Sequence, residues 1–197
     1  MSDPLLSPYP PPSRRAVAKE ITHLDHYCQA FLDMCSFAVL STATADGDPD
    51  ISPRGGDPGF LRVLDPKTLL LPDRLGNNRL DSLRKLTVNP RVALLCFVPG
   101  IDETLRIYGG AQMRSTADAP VDVTEHGRPP RSLLVITVQR AFLHCAKALM
   151  RGRLWDPTAH VPRDSFPSAG EVLRAHTGDS DPVEDQAAML CRYRSQL

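Results

Sequence analysis

Apolar positions change their rhythm along the chain. Ile21, Leu24, Cys28, Phe31 and Leu32 recur every three or four residues, which predicts a helix over 16–34 with Thr22 or Asp25 as its cap. From residue 37 the runs are short and β-prone. Residues 37–42 predict a strand, Asp46-Gly47 a turn, and the run that begins at Asp50-Ile51-Ser52 a second strand. Residues 61–64 and 68–71 flank Asp65-Pro66-Lys67 and predict a second hairpin. Leu80, Leu83 and Leu86 form one side of a short helix that Asn89-Pro90 ends. An apolar strand follows over 92–97. Residues 104–108 and 111–114 read as two strands paired around a Gly109-Gly110 turn, and 133–138 as another strand. Residues 141–151 carry a helical pattern, and one more helical piece falls near 169–176.

Many strands with few intervening helices predict a mainly β, antiparallel barrel in place of a doubly wound sheet. Neither common nucleotide-binding glycine motif follows a strand, which argues against both of the folds that carry them. The length, 197 residues, fits one domain with its own core. The 19 prolines exclude a mostly helical bundle, and Pro4, Pro8, Pro10, Pro11 and Pro12 make residues 1–15 an extended arm. Lys+Arg and Asp+Glu are both 23, so bulk electrostatic attraction to nucleic acid or anionic lipid is disfavoured and any basic site is local. Apolar runs are too short for a signal peptide or a membrane span. Five cysteines, Cys28, Cys35, Cys96, Cys145 and Cys191, are an odd set that predicts free thiols in the cytoplasm.

Candidate chemistry concentrates in 51–83. Arg54 stands just past a strand, and Arg74, Gly76, Asn77, Asn78 and Arg79 precede a helix. The three guanidinium forks match phosphate oxygens if they converge, and the helix start adds free N–H groups. The two asparagines can cap that helix or donate their amides. A glycine-rich hairpin with solvated arginines is the competing reading. Thr104, at a strand start, can place a hydroxyl inward or serve as an ordinary β-branched residue. In 141–157, His144, Cys145, Lys147, Arg151, Arg153 and Trp155 fall close together. Cations beside an aromatic plane suit a flat heterocycle that gains negative charge. No metal site is expected: His144-Cys145 lacks further ligands, and His23, His26 and Cys28 fit no standard spacing. Adjacent strand residues point apart, which disfavours a Cys–His nucleophile pair.

Four motifs occur in order: Ser52-Pro53-Arg54-Gly55, LPDRLGNNRLDSL over 71–83, Glu103-Thr104-Leu105-Arg106, and HCAKALMRGRLW over 144–155. Together they resemble the pyridoxamine 5′-phosphate oxidase-like, FMN-binding split-barrel family, in its bacterial subgroup of probable FMN-dependent enzymes. The resemblance implies a split β-barrel of six strands, antiparallel and of Greek-key type, over 16–160. Residues 161–197 would form a C-terminal extension with a short helix. It implies a homodimer with FMN at the subunit interface and a small-molecule oxidoreductase activity. Ser52, Pro53 and Arg54 match the strand along the flavin, with Arg54 on the phosphate side. Leu71, Pro72 and Asp73 match the strand whose backbone faces the ring. Arg74, Asn77, Asn78 and Arg79 match the phosphate loop, and Thr104 a ring contact. Lys147, Arg151 and Trp155 match the segment that reaches the partner's flavin. The Arg-and-His pattern that reads pyridoxal substrates is not recognisable, which leaves the substrate open. The alternatives are a flavin-binding protein without turnover, or a split barrel that uses F420 or haem, the latter with His144, His160 or His176 as axial ligand. No nucleic-acid or membrane partner is expected.

Overall fold

The computed structural model of the protein describes residues 8–180 and 182–197. Residues 1–7 of the expected arm lie outside the described residues. The chain divides into two compact units, the first ending at Arg151 and the second spanning Gly152–Leu197.

The first unit opens with α1 (Arg14–Ala18) and α2 (His26–Met34), in place of one helix over 16–34. Ile21 explains the break. Its N–H donates to the Ala141 carbonyl at 3.0 Å, and its carbonyl accepts the Ala141 N–H at 2.8 Å. Asp25 then restarts the helix by accepting the Cys28 N–H at 2.8 Å.

Seven strands follow: β1 (Phe37–Ala43), β2 (Pro49–Gly55), β3 (Arg62–Asp65), β4 (Thr68–Asp73), β5 (Arg91–Val98), β6 (Ile101–Arg114) and β7 (Ser132–His144). A short helix, α3 (Asp81–Leu86), separates β4 from β5. All strand pairs are antiparallel, in the order β2-β1-β5-β6-β7-β4-β3. Leu40 of β1, Leu94 of β5, Ile107 of β6, Ile136 of β7 and Leu71 of β4 share one core cluster. Strands that distant in the order meet in one core only if the sheet curls on itself, which makes a barrel. Edge strands β2 and β3 leave it split.

Two expectations fail on β6 and β7. Gly109 and Gly110 are not a turn; they lie inside one long strand. A Cβ on Gly109 would stand 2.1 Å from the Thr137 carbonyl oxygen, so glycine lets β7 approach at a shift in register. The helical pattern over 141–151 is also overridden. Thr104 to Tyr108 pair with His144 to Arg140 and keep that stretch extended. Helix begins only at α4 (Lys147–Gly152).

In the second unit, α5 (Ala169–Thr177) carries a capping box, with the Ser168 and Glu171 side chains each bonded to the other's backbone N–H. A helix that the pattern missed, α6 (Gln186–Arg194), starts where the Asp185 carboxylate accepts the Ala188 N–H. Its apolar residues fall on no single face, which hides it from a periodicity argument.

Candidate functional site

β2 and β4 stand near opposite ends of the strand order, and no ladder joins them. A salt bridge does. Arg54 Nη1 of β2 lies 2.7 Å from Asp73 Oδ1 of β4, with side chains only 17% and 11% exposed. Alternation on β2 turns Asp50, Ser52 and Arg54 away from solvent. β4 is buried along nearly its whole length. Pairing with β3 stops at Leu70, so 71–73 keep a strand partner on one side only, β7.

The split holds a cavity of about 590 Å³, within the size range of ligand sites. Its walls are β2, the end of β4, the loop over 74–80 and the start of α3, with Arg131 added from the far side. Four arginines, Arg54, Arg74, Arg79 and Arg131, and three aspartates, Asp50, Asp73 and Asp81, are among the lining residues.

Each arginine has a different bond economy. Arg54 commits one Nη to Asp73, while its Nε is buried without a hydrogen-bond partner. A guanidinium offers five donors, so this fork keeps capacity for an anion. Arg74 turns away: Nη2 donates to the Val123 carbonyl at 3.0 Å and Nε lies 2.6 Å from Glu125 Oε2. Arg79 is open, with its side chain 75% exposed, and pairs with Asp81 at 2.8 Å. Asp50 is fixed by hydroxyls, accepting from Ser82 at 2.6 Å and Thr42 at 3.3 Å.

The loop itself is strained. Asn78 and Leu80 both adopt φ near 59°. Leucine gains nothing from that conformation, which costs about 1–2 kcal/mol. Neither asparagine caps α3. Leu80 is the cap residue and has no side-chain bond, while Asn77 Oδ1 accepts the Arg79 N–H at 3.1 Å. Back-bonding within the loop took the asparagine that the sequence offered to the helix.

Of the residues singled out from sequence, Ser52, Pro53, Arg54, Pro72, Asp73, Arg74, Asn77, Asn78 and Arg79 line the cavity together. Leu71 does not line it; it is 1% exposed and in the core. Thr104, 3% exposed, pairs with His144 away from the cavity. Lys147 and Arg151 lie on α4, outside the cavity lining. Trp155 belongs to the second unit. Burial, then the Arg106 and Lys19 cations, hold the His144 imidazole below its usual pKa, so it is neutral at pH 7.

Sequence reading missed Arg131, which stands in no motif. Its N–H donates to the Asp73 carbonyl at 2.8 Å and ties the β7 entry to the split. It also missed Asp57, Glu125 and His126, whose candidate ligand atoms lie within 4.8 Å of one another. Glu125 is already held by Arg74 and by the Asp57 N–H. That explains the group as a clamp on the loop after β2.

An antiparallel split barrel with an arginine-lined cleft in its opening defines the class of protein. The family described as pyridoxamine 5′-phosphate oxidase matches residues 24–145, and the chain belongs to that family. No curated protein sequence matches it. Several solved structures are similar. HupZ of Group A Streptococcus is 17% identical over 60% of this chain and 92% of its own, with a TM-score of 0.49. An FMN-binding protein of Syntrophomonas wolfei is 14% identical over 59% of this chain and 83% of its own, with a TM-score of 0.43. An F420 reductase is 18% identical over 59% of this chain and 94% of its own, with a TM-score of 0.40. Among the described residues, no helix is long and apolar enough to cross a membrane.

Proposed function

We propose that the cleft between β2 and β4 binds FMN and that the protein is a cytoplasmic FMN-dependent oxidoreductase acting on a small molecule. The observation that carries this reading is Arg54, half-buried beside Asp73 with a buried, unpartnered Nε, in the lining of a cavity of about 590 Å³. A buried donor without a partner costs about 1–3 kcal/mol, and a phosphate oxygen would relieve it. FMN, when bound, supplies two-electron hydride chemistry. The chain's own residues then have separable tasks. Arg54 holds the phosphate side, with Arg79 as the exposed outer donor. Asp73 fixes the Arg54 fork and tempers its charge. Pro53 and Pro72 give the ring a stiff wall. In this reading the protein is a homodimer, and Lys147, Arg151 and Trp155 come to the flavin from the partner subunit. The five free cysteines suit a reducing compartment.

Purified protein should be yellow, and the chromophore released on denaturation should have the mass of FMN. Haem or F420 in its place would overturn the cofactor. Bound FMN that no donor panel reduces would leave a flavin-binding protein without turnover.

A further inference from the structure

The clamp on the loop after β2 uses only part of its donor set. Glu125 opens a two-residue turn: Glu125 and Arg128 exchange N–H bonds of 3.1 Å and 2.9 Å, and His126 and Gly127 between them both take positive φ. The Glu125 side chain is 11% exposed and lies against Gly56, where a Cβ would stand 3.0 Å and 3.1 Å from its two oxygens. Glycine at that position lets the carboxylate reach the next backbone group, and Oε1 accepts the Asp57 N–H. Arg74 Nε is 2.6 Å from Oε2, yet this buried Nε makes no aligned hydrogen bond. An ionised carboxylate accepts at about four positions, so Glu125 keeps lone pairs for another partner.

Two more ligand groups stand beside it. His126 Nε2 is 3.6 Å from Asp57 Oδ2, too long for a hydrogen bond. Asp57, Glu125 and His126 each offer one ligand atom, and these atoms lie within 4.8 Å of one another. A zinc ion with ligands at about 2.0–2.2 Å sets those ligands roughly 3–3.5 Å apart. Small rotations of the exposed Asp57 and His126 side chains close that difference. Charge also fits. Two carboxylates against the one Arg74 guanidinium leave a negative excess for a dication. One imidazole nitrogen with two carboxylate oxygens suits a borderline ion such as Zn²⁺, whereas Ca²⁺ and Mg²⁺ take shells of oxygen alone.

We propose that Asp57, Glu125 and His126 bind one divalent transition-metal ion of the zinc class, with its remaining position open to solvent. The ion would staple the loop after β2 to the turn before β7. Asp57 and Glu125 are 68 residues apart, so no spacing motif announces the site. The inference does not rest on the flavin reading.

The test uses the full chain with Cys145→Ser and Cys191→Ser, which removes the exposed thiols that also take zinc. After dialysis against a chelator, calorimetric titration with Zn²⁺ should show one equivalent bound, and Ca²⁺ should bind far more weakly. Asp57→Asn and His126→Asn should each weaken Zn²⁺ by about tenfold or more. Asparagine accepts the φ of 49° at position 126, so the turn is kept. Slow labelling of Cys28, Cys35 and Cys96 confirms the fold of each variant. Arg74→Gln removes the cation that competes for Glu125 and should tighten Zn²⁺ roughly fivefold. No stoichiometric uptake of Zn²⁺, unchanged affinity in His126→Asn, or Ca²⁺ binding as tightly as Zn²⁺ overturns the proposal. Unchanged or weaker binding in Arg74→Gln places the ion away from Glu125 and overturns it as well.

Discussion

The closed side of the barrel and its split side are built from the same strand chemistry and end up opposite in character. On the closed side, β5, β6 and β7 pair over long ladders, and Leu94, Leu105, Ile107 and Ile136 are at most 2% exposed. On the split side, β2 turns Asp50, Ser52 and Arg54 inward, and one ion pair spans the opening. Apolar burial is non-directional and fills whatever the sheet encloses. A polar seam has no such filler, so its charges must find partners or a ligand. The difference teaches where each kind of change should be felt: on the closed side in folding, on the split side in binding.

The largest effect is expected at Gly109. Gly109→Ala forces its Cβ onto the Thr137 carbonyl at the register shift between β6 and β7. The two longest strands cannot both keep their ladder, and the variant should fail to fold. Thiol labelling reads this directly. In the native protein Cys28, Cys35 and Cys96 are buried while Cys145 and Cys191 are exposed. Burial pushes the Cys28 thiol up to about 12, and a hydrogen bond with Cys35, then burial, holds Cys96 well above the usual thiol range. Two thiols should therefore label fast and three slowly; in Gly109→Ala all five should label fast. Two-phase labelling in Gly109→Ala would show that the strands tolerate the added methyl.

On the split side, Arg54→Ala should leave the fold and its thiol protection intact and weaken FMN binding at least tenfold, since a charge-assisted phosphate contact contributes about 1.5–3 kcal/mol. Asp73→Asn should act in the other direction. It keeps the shape of the pair but removes the anion that tempers Arg54, so FMN should bind more tightly and with a steeper salt dependence. Equal weakening by both variants in an FMN titration would mean that the pair is a structural clasp and not a ligand site.

The same contrast governs what was legible in the sequence. Closed-side strands such as 92–97 and 133–138 announced themselves as apolar runs, and the arginine, asparagine and glycine loop marked the cleft. Gly109-Gly110 misled because a close backbone approach and a turn ask for the same residue. The helical rhythm of 16–34 was broken by one residue, Ile21, whose pairing partner lies at 141. Arg131 had no signal, because its place depends on where β7 enters beside Asp73. Local sequence carried local structure; contacts across the split needed the fold.

The smallest effect sits at the start of α2, and it is a matter of pH. Cys28, Phe31 and Leu32 of α2 pack into the core, so the cap of this helix bears on folding and not on the cavity wall. The Asp25 carboxylate accepts the Cys28 N–H, and that bond holds its pKa below the usual carboxylate value. A depressed folded pKa means that the stabilisation is complete above the unfolded value of about 3.9 and disappears as pH falls through the lower folded one. Asp25→Ala should cost about 1 kcal/mol at pH 7, or roughly 2–4 °C in Tm for a chain of this size. The gap to wild type should narrow below about pH 4, as the native carboxylate protonates. Asp25→Asn should retain most of the cap and lose the pH dependence. FMN affinity should be unchanged in both variants, because α2 contributes nothing to the cavity wall. Thermal melts of the three proteins from pH 7 down to pH 3 decide the matter. A constant gap between Asp25→Ala and wild type over that range would show that the carboxylate charge contributes nothing to the cap.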